Sequence, residues 1–351
     1  MKRLLALAMA ALVTLTGVGA LTASPSTAGT GARALVSTTH QVDVATLPVG
    51  PRAKVAYLTG RVLHTRAGKT VTIDVPKRFQ DSLELLGRSA RGGWVVGYHH
   101  DSAVLAVSPS GKVRQIAHYY EDFPGASQLY LSTNGRLVAI QGVDEGDAAL
   151  FRVVDLAGRT VARHNWISGG STVAFQGRTL WFSQWGSDDL RGSLITWRMG
   201  HSPRHAPGDA QAVQLLDLTH HQLVRTVRTD PDYDFGVTSV SHPKTVRWTV
   251  CETCRPGYSA TAFSPDGHGL LGELGAKDET VRSAEDGSVQ SDLAFSLRVY
   301  GERWEGNRHV LVEVTDGPVR TGVHALLRCS LGGSCARVTK WQHHWLLSYQ
   351  Q

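Results

Sequence analysis

The chain has 351 residues, of which 42% are hydrophobic and 19% are charged, and its formal net charge at pH 7 is +6. The basic residues are scattered along the chain and form no cluster, so the charge does not indicate a nucleic-acid partner. Arginine outnumbers lysine, and alanine and glycine are frequent, which indicates a GC-rich bacterial genome.

The N-terminus predicts a secretory signal peptide over residues 1–28. Lys2 and Arg3 form a short basic region, Leu4–Ala23 is apolar or small without a charge, and Ser26–Ala28 offers small residues for cleavage. The alternative is an uncleaved membrane anchor, because the apolar run is long enough to be considered for a span. We expect a secreted protein that has no membrane contact after cleavage.

After a flexible lead-in over residues 29–40, the sequence predicts hairpins of two recurring classes. The first class has a glycine in its turn, at Gly68, Gly111, Gly158, Gly287 and Gly333. The second class falls between these turns, at Tyr130–Ile140, Ala174–Phe182 and Ala262–Leu271. Asn-Gly and Asp-Gly turns suit hairpins because these residues tolerate a positive φ. Two hairpins in each period make four strands in each period.

The period of the first hairpin class predicts the architecture. Gly68 and Gly111 are 43 residues apart, Gly111 and Gly158 are 47 apart, and Gly287 and Gly333 are 46 apart. A four-stranded propeller blade takes roughly 40–50 residues. The fold class is therefore all-β, a single β-propeller over residues 41–345 with a C-terminal tail over 346–351. Each blade packs only on its neighbours, so such a chain remains one domain.

The predicted units follow one another along the mature chain. They are Val42–Val75, Leu83–Tyr119, Ser127–Trp166, Thr172–Val227, Gly236–Thr253, Tyr258–Leu293 and Leu297–Trp341. The fourth unit carries Gly200–Ala210, which is predicted to be a surface loop inside the blade. The fifth shows no second hairpin and is either a degenerate blade or an insertion, so seven blades are favoured over six. Propellers often join their termini, and Val42–Leu47 is predicted to pair beside the last unit.

The run Ala262–Leu271 resembles the repeat of the TolB-like and WD40-like propeller families, and diluted copies cover most of the mature chain. The sequence departs from the standard WD40 repeat, because it has no Trp-Asp dipeptide and no regular Gly-His pair. The resemblance implies a propeller fold in a secreted bacterial protein. It implies little about activity, because propellers include both enzymes and passive binders.

The four cysteines form two pairs. Cys329 and Cys335 flank a short turn and lie opposite each other across a predicted hairpin, within disulfide distance. Because secreted proteins meet an oxidising environment, a Cys329–Cys335 disulfide is predicted. Cys251 and Cys254 are predicted to form a small structural disulfide. The alternatives are a redox-active C-x-x-C motif, or a zinc site that uses all four cysteines.

Two acidic segments are candidate rim or metal-binding loops. The first contains Asp144, Glu145 and Asp147. The second contains Asp230, Asp232 and Asp234, whose alternating spacing could supply three oxygens to a calcium ion. The alternative is that all six are solvated loop carboxylates, and neither a bound metal nor a cofactor is predicted.

The motif search assigns no catalytic residue, because G-x-S-x-G, H-E-x-x-H and P-loop patterns do not occur. The sequence therefore favours a secreted, non-catalytic binding or scaffold module. We expect a monomer that binds a protein, small-molecule or glycan ligand at the rim. One alternative is an extracellular hydrolase or lyase with its active site at the central channel. A third hypothesis is a structural module of a cell-envelope complex.

Overall fold

A computed structural model describes the chain over residues 39–119, 128–143, 149–165, 169–184, 192–206, 208, 210–229, 232–251, 258–274, 276–318, 322–343 and 347. These residues form 28 strands and three short 3-10 helices, at Val44–Thr46, Lys77–Ser82 and His99–Asp101, without an α-helix in the described ranges.

The strands in chain order are β1 (Thr39–Val42), β2 (Tyr57–Thr59), β3 (Val62–His64), β4 (Thr70–Thr72), β5 (Leu83–Arg88), β6 (Trp94–Tyr98), β7 (Ala103–Val107), β8 (Val113–His118), β9 (Gln128–Leu131), β10 (Leu137–Val143), β11 (Ala149–Asp155), β12 (Thr160–Asn165), β13 (Gly170–Gln176), β14 (Thr179–Gln184), β15 (Leu194–Arg198), β16 (Arg204–His205), β17 (Val213–Asp217), β18 (Gln222–Thr229), β19 (Asp232–Ser239), β20 (His242–Cys251), β21 (Tyr258–Phe263), β22 (Gly269–Leu274), β23 (Asp278–Ser283), β24 (Val289–Phe295), β25 (Arg298–Trp304), β26 (His309–Asp316), β27 (Val323–Ser330) and β28 (Cys335–Arg337).

The strands form seven sheets, antiparallel except for the β1–β24 pair, that are the blades of a β-propeller, so the predicted fold class and the count of seven are confirmed. Blade 1 is β2–β4, blade 2 is β5–β8, blade 3 is β9–β12 and blade 4 is β13–β16. Blade 5 is β17–β20, blade 6 is β21–β24 and blade 7 is β25–β28. From blade 2 onward the first strands of consecutive blades contact each other, so the first strand of each blade is its innermost.

The recurring glycine of the first hairpin class lies in the turn between the third and fourth strands of a blade. At Gly111 φ is +87°, and a Cβ would lie 2.0 Å from the carbonyl oxygen of Thr72 in the outermost strand of blade 1. At Gly333 φ is +84°, and a Cβ would lie 2.2 Å from the ring of His40. Glycine is required there because the turn has a left-handed backbone and also packs directly on the preceding blade.

The second hairpin class joins the first and second strands of a blade, and in blades 3 and 6 a serine organises its turn. In blade 6 the Ser264 hydroxyl accepts from the Gly269 amide at 2.7 Å and donates to the Asp266 carboxylate at 2.6 Å. In blade 3 Ser132 accepts from the Leu137 amide at 3.0 Å. Both serines are buried, so these side chains fix the turn from inside the hairpin.

The boundary between blades 4 and 5 differs from the prediction. The predicted unit Thr172–Val227 contains all of blade 4 and the first half of blade 5. The segment Gly200–Ala210 includes β16, a two-residue outermost strand that pairs with β15. Gly236–Thr253 is neither a degenerate blade nor an insertion, because its described part belongs to the third and fourth strands of blade 5.

The N-terminal segment closes the ring at two places, and the predicted pairing of Val42–Leu47 beside the last unit holds only at Leu47, whose carbonyl accepts from Nε of Arg337 at 3.1 Å. Instead, β1 pairs in parallel with β24 and becomes the fifth, outermost strand of blade 6. Residues 48–50 then pair with Arg337 of β28, whose amide donates to the Pro48 carbonyl at 2.9 Å. The segment therefore crosses the outer edges of both blade 6 and blade 7.

Blade 1 has three strands in the described part of the chain, and none of them is innermost. The turn between β3 and β4 lines the same cavity as two turns of blade 2, the one between its first and second strands and the one between its third and fourth strands. The β3–β4 turn therefore lies at the same end of the ring, which makes β3 and β4 the third and fourth strands of blade 1. β2 therefore occupies the second position. The residues that precede β2 are irregular, and the chain before them runs along blades 6 and 7.

The predicted Cys329–Cys335 disulfide is confirmed. The two residues are direct cross-strand partners in β27 and β28, with Cα atoms 4.1 Å apart. Cys329 is fully buried in the apolar core that blade 7 shares with blade 6. The bond therefore joins the short outermost strand of blade 7 to a fully packed strand.

Candidate binding site

The centre of the ring contains a cavity of about 1730 Å³. Its wall is made by the innermost strands of blades 2, 3, 6 and 7 and by Lys54–Ala56, the irregular segment of blade 1. Among the described residues, no strand fills the innermost position of blade 1, and the cavity extends into that sector. Small-molecule sites usually measure 300–1,000 Å³, so this cavity is larger than a single small ligand needs.

Strand β25 separates two walls of different charge. Glu302 is the cross-strand partner of Val312, which belongs to the core between blades 6 and 7. Arg303 is the partner of Leu311, which belongs to the core between blades 7 and 1. Neighbouring residues of a strand point to opposite faces. Glu302 therefore faces blade 6, and Arg303 faces blade 1.

The wall toward blade 6 contains carboxyl groups that resist ionisation. Burial raises the pKa of Glu302, and the nearby Glu273 raises it further, although a hydrogen bond with Thr261 opposes the shift. Burial also raises the pKa of Glu273, which also lines the cavity.

Glu279 lies behind this wall as the cross-strand partner of Glu273. It is fully buried, and neither of its carboxyl oxygens has a hydrogen-bond partner among the described residues. Burial and the neighbouring Glu302, Glu273 and Asp278 raise its pKa well above the usual range. The charged form of Glu279 is therefore strongly disfavoured in the folded protein.

The wall toward blades 1 and 2 is basic. Its cations are Lys54, Arg66, Lys69, Arg88, Arg303 and Arg328. Among the described residues that line this wall, Glu305 is the one carboxylate, and this residue is buried. It accepts hydrogen bonds from the Lys54 amide and from Nε of Arg328. Burial lowers the pKa of His309, and the positive charge of Arg328 lowers it further, so this histidine is neutral at pH 7.

A hydroxyl–imidazole–carboxylate chain lies between blades 2 and 3, outside the cavity wall. Nε2 of His99 lies 2.8 Å from the Glu84 carboxylate, and Nδ1 lies 3.2 Å from the Tyr119 hydroxyl. Burial raises the pKa of Tyr119 to about 12, and Glu84 contributes to the shift. Tyr119 is only 4% exposed, so this hydroxyl keeps its proton and is not accessible to a substrate. The chain of contacts is therefore structural.

The predicted acidic loops are not part of the cavity wall as described. Asp144, Glu145, Asp147 and Asp230 lie outside the described residues, and of Asp232 only the backbone, at the start of β19, is described. Asp234 lies inside β19 and is 7% exposed, so it is a buried strand residue and not a loop residue. Cys251 ends β20, and Cys254 lies outside the described residues, so their pairing stays a prediction.

Within the described ranges, no group of three or more histidine, cysteine, aspartate or glutamate side chains is arranged to hold a metal ion. Nor does this part of the chain include a helix long and apolar enough to cross a membrane.

The fold is similar to that of solved propellers at low sequence identity. A chain of the mitotic checkpoint complex superimposes with a TM-score of 0.51 at 13% identity, over 76% of this chain and 80% of that one. The uncharacterized protein lmo1340 from Listeria monocytogenes EGD-e gives a TM-score of 0.49 at 9% identity, over 77% and 87% of the two chains. Hsv2 from Kluyveromyces lactis gives 0.44 at 11% identity, over 71% and 74%.

No family model matches the chain, and no curated protein has a significantly similar sequence. The likeness to the checkpoint-complex chain shows the fold alone, a β-propeller. This fold is consistent with a binding or scaffold module and suits binding to proteins.

Proposed function

We propose that this protein is a secreted, non-catalytic β-propeller that binds an extracellular partner or ligand in its central cavity. The observation that supports it is the cavity of about 1730 Å³, which is lined by side chains of five blades. Ligand sites are concave and carry a few polar groups on a largely apolar wall. The Cys329–Cys335 disulfide is compatible with an oxidising compartment.

A variant that fills the cavity tests this proposal. Gly301 lines the cavity, has no positive φ, and a Cβ there would lie 3.9 Å from Leu347, which is ordinary contact. Gly301→Trp therefore adds a large side chain to the cavity without forcing the backbone. Gly332→Trp is the matched control, because Gly332 lies in the exposed β27–β28 turn and also lacks a positive φ.

The measurement is a thermal-shift screen of the mature protein against peptides, glycans and small molecules. We expect at least one compound to raise the Tm of the wild type and of Gly332→Trp but not of Gly301→Trp. Two results contradict the proposal: a screen without any stabilising compound, or compounds that stabilise Gly301→Trp as strongly as the wild type. Secretion is tested separately by sequencing the N-terminus of the exported protein, which we expect to start near residue 29.

An extracellular hydrolase or lyase is a second candidate, because Glu273, Glu302 and His309 all line the cavity. A carboxylate pair in acid–base catalysis usually has its two pKa values pushed apart, with one group protonated and the other ionised. Here burial shifts the pKa of both carboxyl groups in the same direction, upward. Binding is therefore favoured over catalysis. Turnover of a polysaccharide, peptide or lactone panel that is lost in Glu302→Gln would reverse this preference.

A further inference from the structure

The guanidinium of Arg303 is a cation inside the cavity without a counter-charge. Among the described residues it has no ion pair and no side-chain hydrogen bond, although its side chain is exposed to the cavity solvent. The protein around the cavity partly desolvates the guanidinium, and this desolvation lowers the pKa of Arg303. A desolvated cation gains more from an incoming anion than a cation on the open surface does.

The neighbouring arginine shows the difference. Arg303 and Arg328 are both cross-strand partners of Leu311, one on each side, so they share a face of blade 7. Arg328 donates to the buried Glu305 carboxylate, which is also bound by the Lys54 amide. The Glu305 carboxylate is therefore already bound by Arg328 and Lys54. It does not pair with Arg303, which stays available to a ligand.

The charges around Arg303 favour an anion over a cation. Lys54, Arg66, Lys69 and Arg88 line the same cavity. Glu302, its nearest carboxyl group along the strand, faces the opposite side of β25. A planar guanidinium binds a carboxylate through two parallel hydrogen bonds.

The dimensions of the cavity favour a segment of chain as the occupant. Its volume of about 1730 Å³ exceeds what a single ion or small ligand fills. Apolar and aromatic side chains, including Phe263 and Tyr300, line it together with the cations. We propose that the cavity binds an acidic peptide segment of a partner protein and that Arg303 makes the bidentate contact with one of its carboxylates. This inference rests on the proposed binding function.

The test is fluorescence anisotropy with a labelled glutamate-rich peptide and the folded mature protein at low ionic strength. The control peptide has glutamine in place of every glutamate. The test variants are Arg303→Gln and Arg303→Lys, and the matched control is Arg308→Gln, because Arg308 is an exposed turn residue outside the cavity wall.

We expect Arg303→Gln to weaken binding of the acidic peptide about 10-fold, as the loss of a charged hydrogen-bonded pair does. The affinity of Arg303→Lys should fall between those of the wild type and Arg303→Gln, because a lysine keeps the charge but cannot form the two parallel hydrogen bonds of a guanidinium. Arg308→Gln should bind within about 2-fold of the wild type, since an exposed charge contributes little. The glutamine peptide should bind much more weakly than the acidic one.

Any one of four results would overturn the inference. The first is equal affinity of the wild type and Arg303→Gln for the acidic peptide. The second is equal affinity of the wild type for the two peptides. The third is Arg303-dependent binding of inorganic phosphate or pyrophosphate without binding of the acidic peptide, which would assign the site to a phosphate group. A compound that binds the wild type but not Gly301→Trp, while the acidic peptide does not bind, would overturn this inference alone and leave the proposed function standing.

Discussion

Blade 7 packs against blade 6 and blade 1 in different ways. Toward blade 6 it buries a broad apolar core that includes Val310, Val312 and Leu271, and the Trp304 indole donates to the Ala262 carbonyl at 3.1 Å. Toward blade 1 the buried apolar core is much smaller and consists of Ala53, Tyr57, Leu311, Leu326 and Leu347.

The interface with blade 1 relies on polar contacts. Glu313 and His324 are both fully buried, with Oε1 and Nδ1 2.9 Å apart, and the Leu347 amide donates to Oε2 of Glu313 at 2.8 Å. Glu305 and Arg328 form a second pair on the same face. A propeller can therefore close at a blade with only three described strands when a chain terminus and buried polar pairs take part in the interface.

The largest effect is expected from removal of the N-terminal segment that spans both blades. A chain that starts at Pro51 lacks β1 and the residues that pair with Arg337. It also lacks Val42 and Val44, which are buried in the core between blades 6 and 7. Burial of two valines and the lost strand hydrogen bonds give an expected loss of about 5 kcal/mol in the free energy of unfolding. Urea unfolding of the two chains measures it.

Serine at both Val42 and Val44 is the companion variant, because it removes the apolar burial and keeps the strand. It should cause a smaller loss than the truncation. If the truncated chain unfolds at the same urea concentration as the full chain, the segment does not help to close the ring.

The regular blades could be predicted from the sequence because their signals are local. At Gly111 and Gly333 the backbone is left-handed and the turn packs closely on the preceding blade, so a glycine in the sequence indicates this geometry. The Cys329–Cys335 pairing follows from hairpin register for the same reason. These features depend on residues that are few positions apart.

The closure and the site could not be predicted in this way. The last strand of blade 4 has only two residues, so the sequence shows no strand pattern there. The predicted boundary between blades 4 and 5 was therefore wrong. Arg303 and Glu302 lie in a strand whose sequence does not reveal which neighbour each side chain faces. The cavity is lined by residues of five blades that are far apart in the sequence, so it becomes visible only when the ring closes.

The buried pair at the interface with blade 1 gives the next largest effect. Glu313→Leu should cost about 3 kcal/mol, because it removes the buried carboxylate 2.9 Å from Nδ1 of His324 and leaves the Leu347 amide without its acceptor. Glu313→Gln retains an acceptor oxygen and should cost less. Equal stability of Glu313→Leu and the wild type in urea unfolding would show that this interface does not depend on its polar contacts.

Reduction of the disulfide should affect the outer edge of blade 7. The Cys329–Cys335 bond closes a short loop with a sequence separation of 6 residues. Cross-linking a loop of this length stabilises a folded chain by about 2 kcal/mol. The double variant Cys329→Ala/Cys335→Ala should lower the Tm by an amount that the reductant reproduces in the wild type. The same decrease on adding reductant to the double variant would assign the effect to other cysteines.

The smallest effect, and the only gain, is expected on the blade 6 side. Glu279 is buried without a hydrogen-bond partner among the described residues, and the groups that face it are the carboxyls of Glu273, Asp278 and Glu302. Its pKa is raised in the folded protein, whereas in the unfolded chain it lies near the ordinary glutamate value of 4.5. Below that pH both states hold the proton. As the pH rises above it, the unfolded chain releases its proton first, so the stability of the wild type falls.

Glu279→Gln removes this titration and keeps the shape of the side chain. We expect its Tm to exceed that of the wild type by about 2 °C at pH 7.5, as on the order of 1 kcal/mol would produce in a chain of this size, with the gain shrinking toward pH 4.5. Glu285→Gln is the control, because Glu285 is exposed in a turn of the same blade. A gain that is equal at both pH values would mean that the variant improves packing and that the proton on Glu279 does not limit stability. The contrast between the two faces of blade 7 would then lie in apolar burial alone.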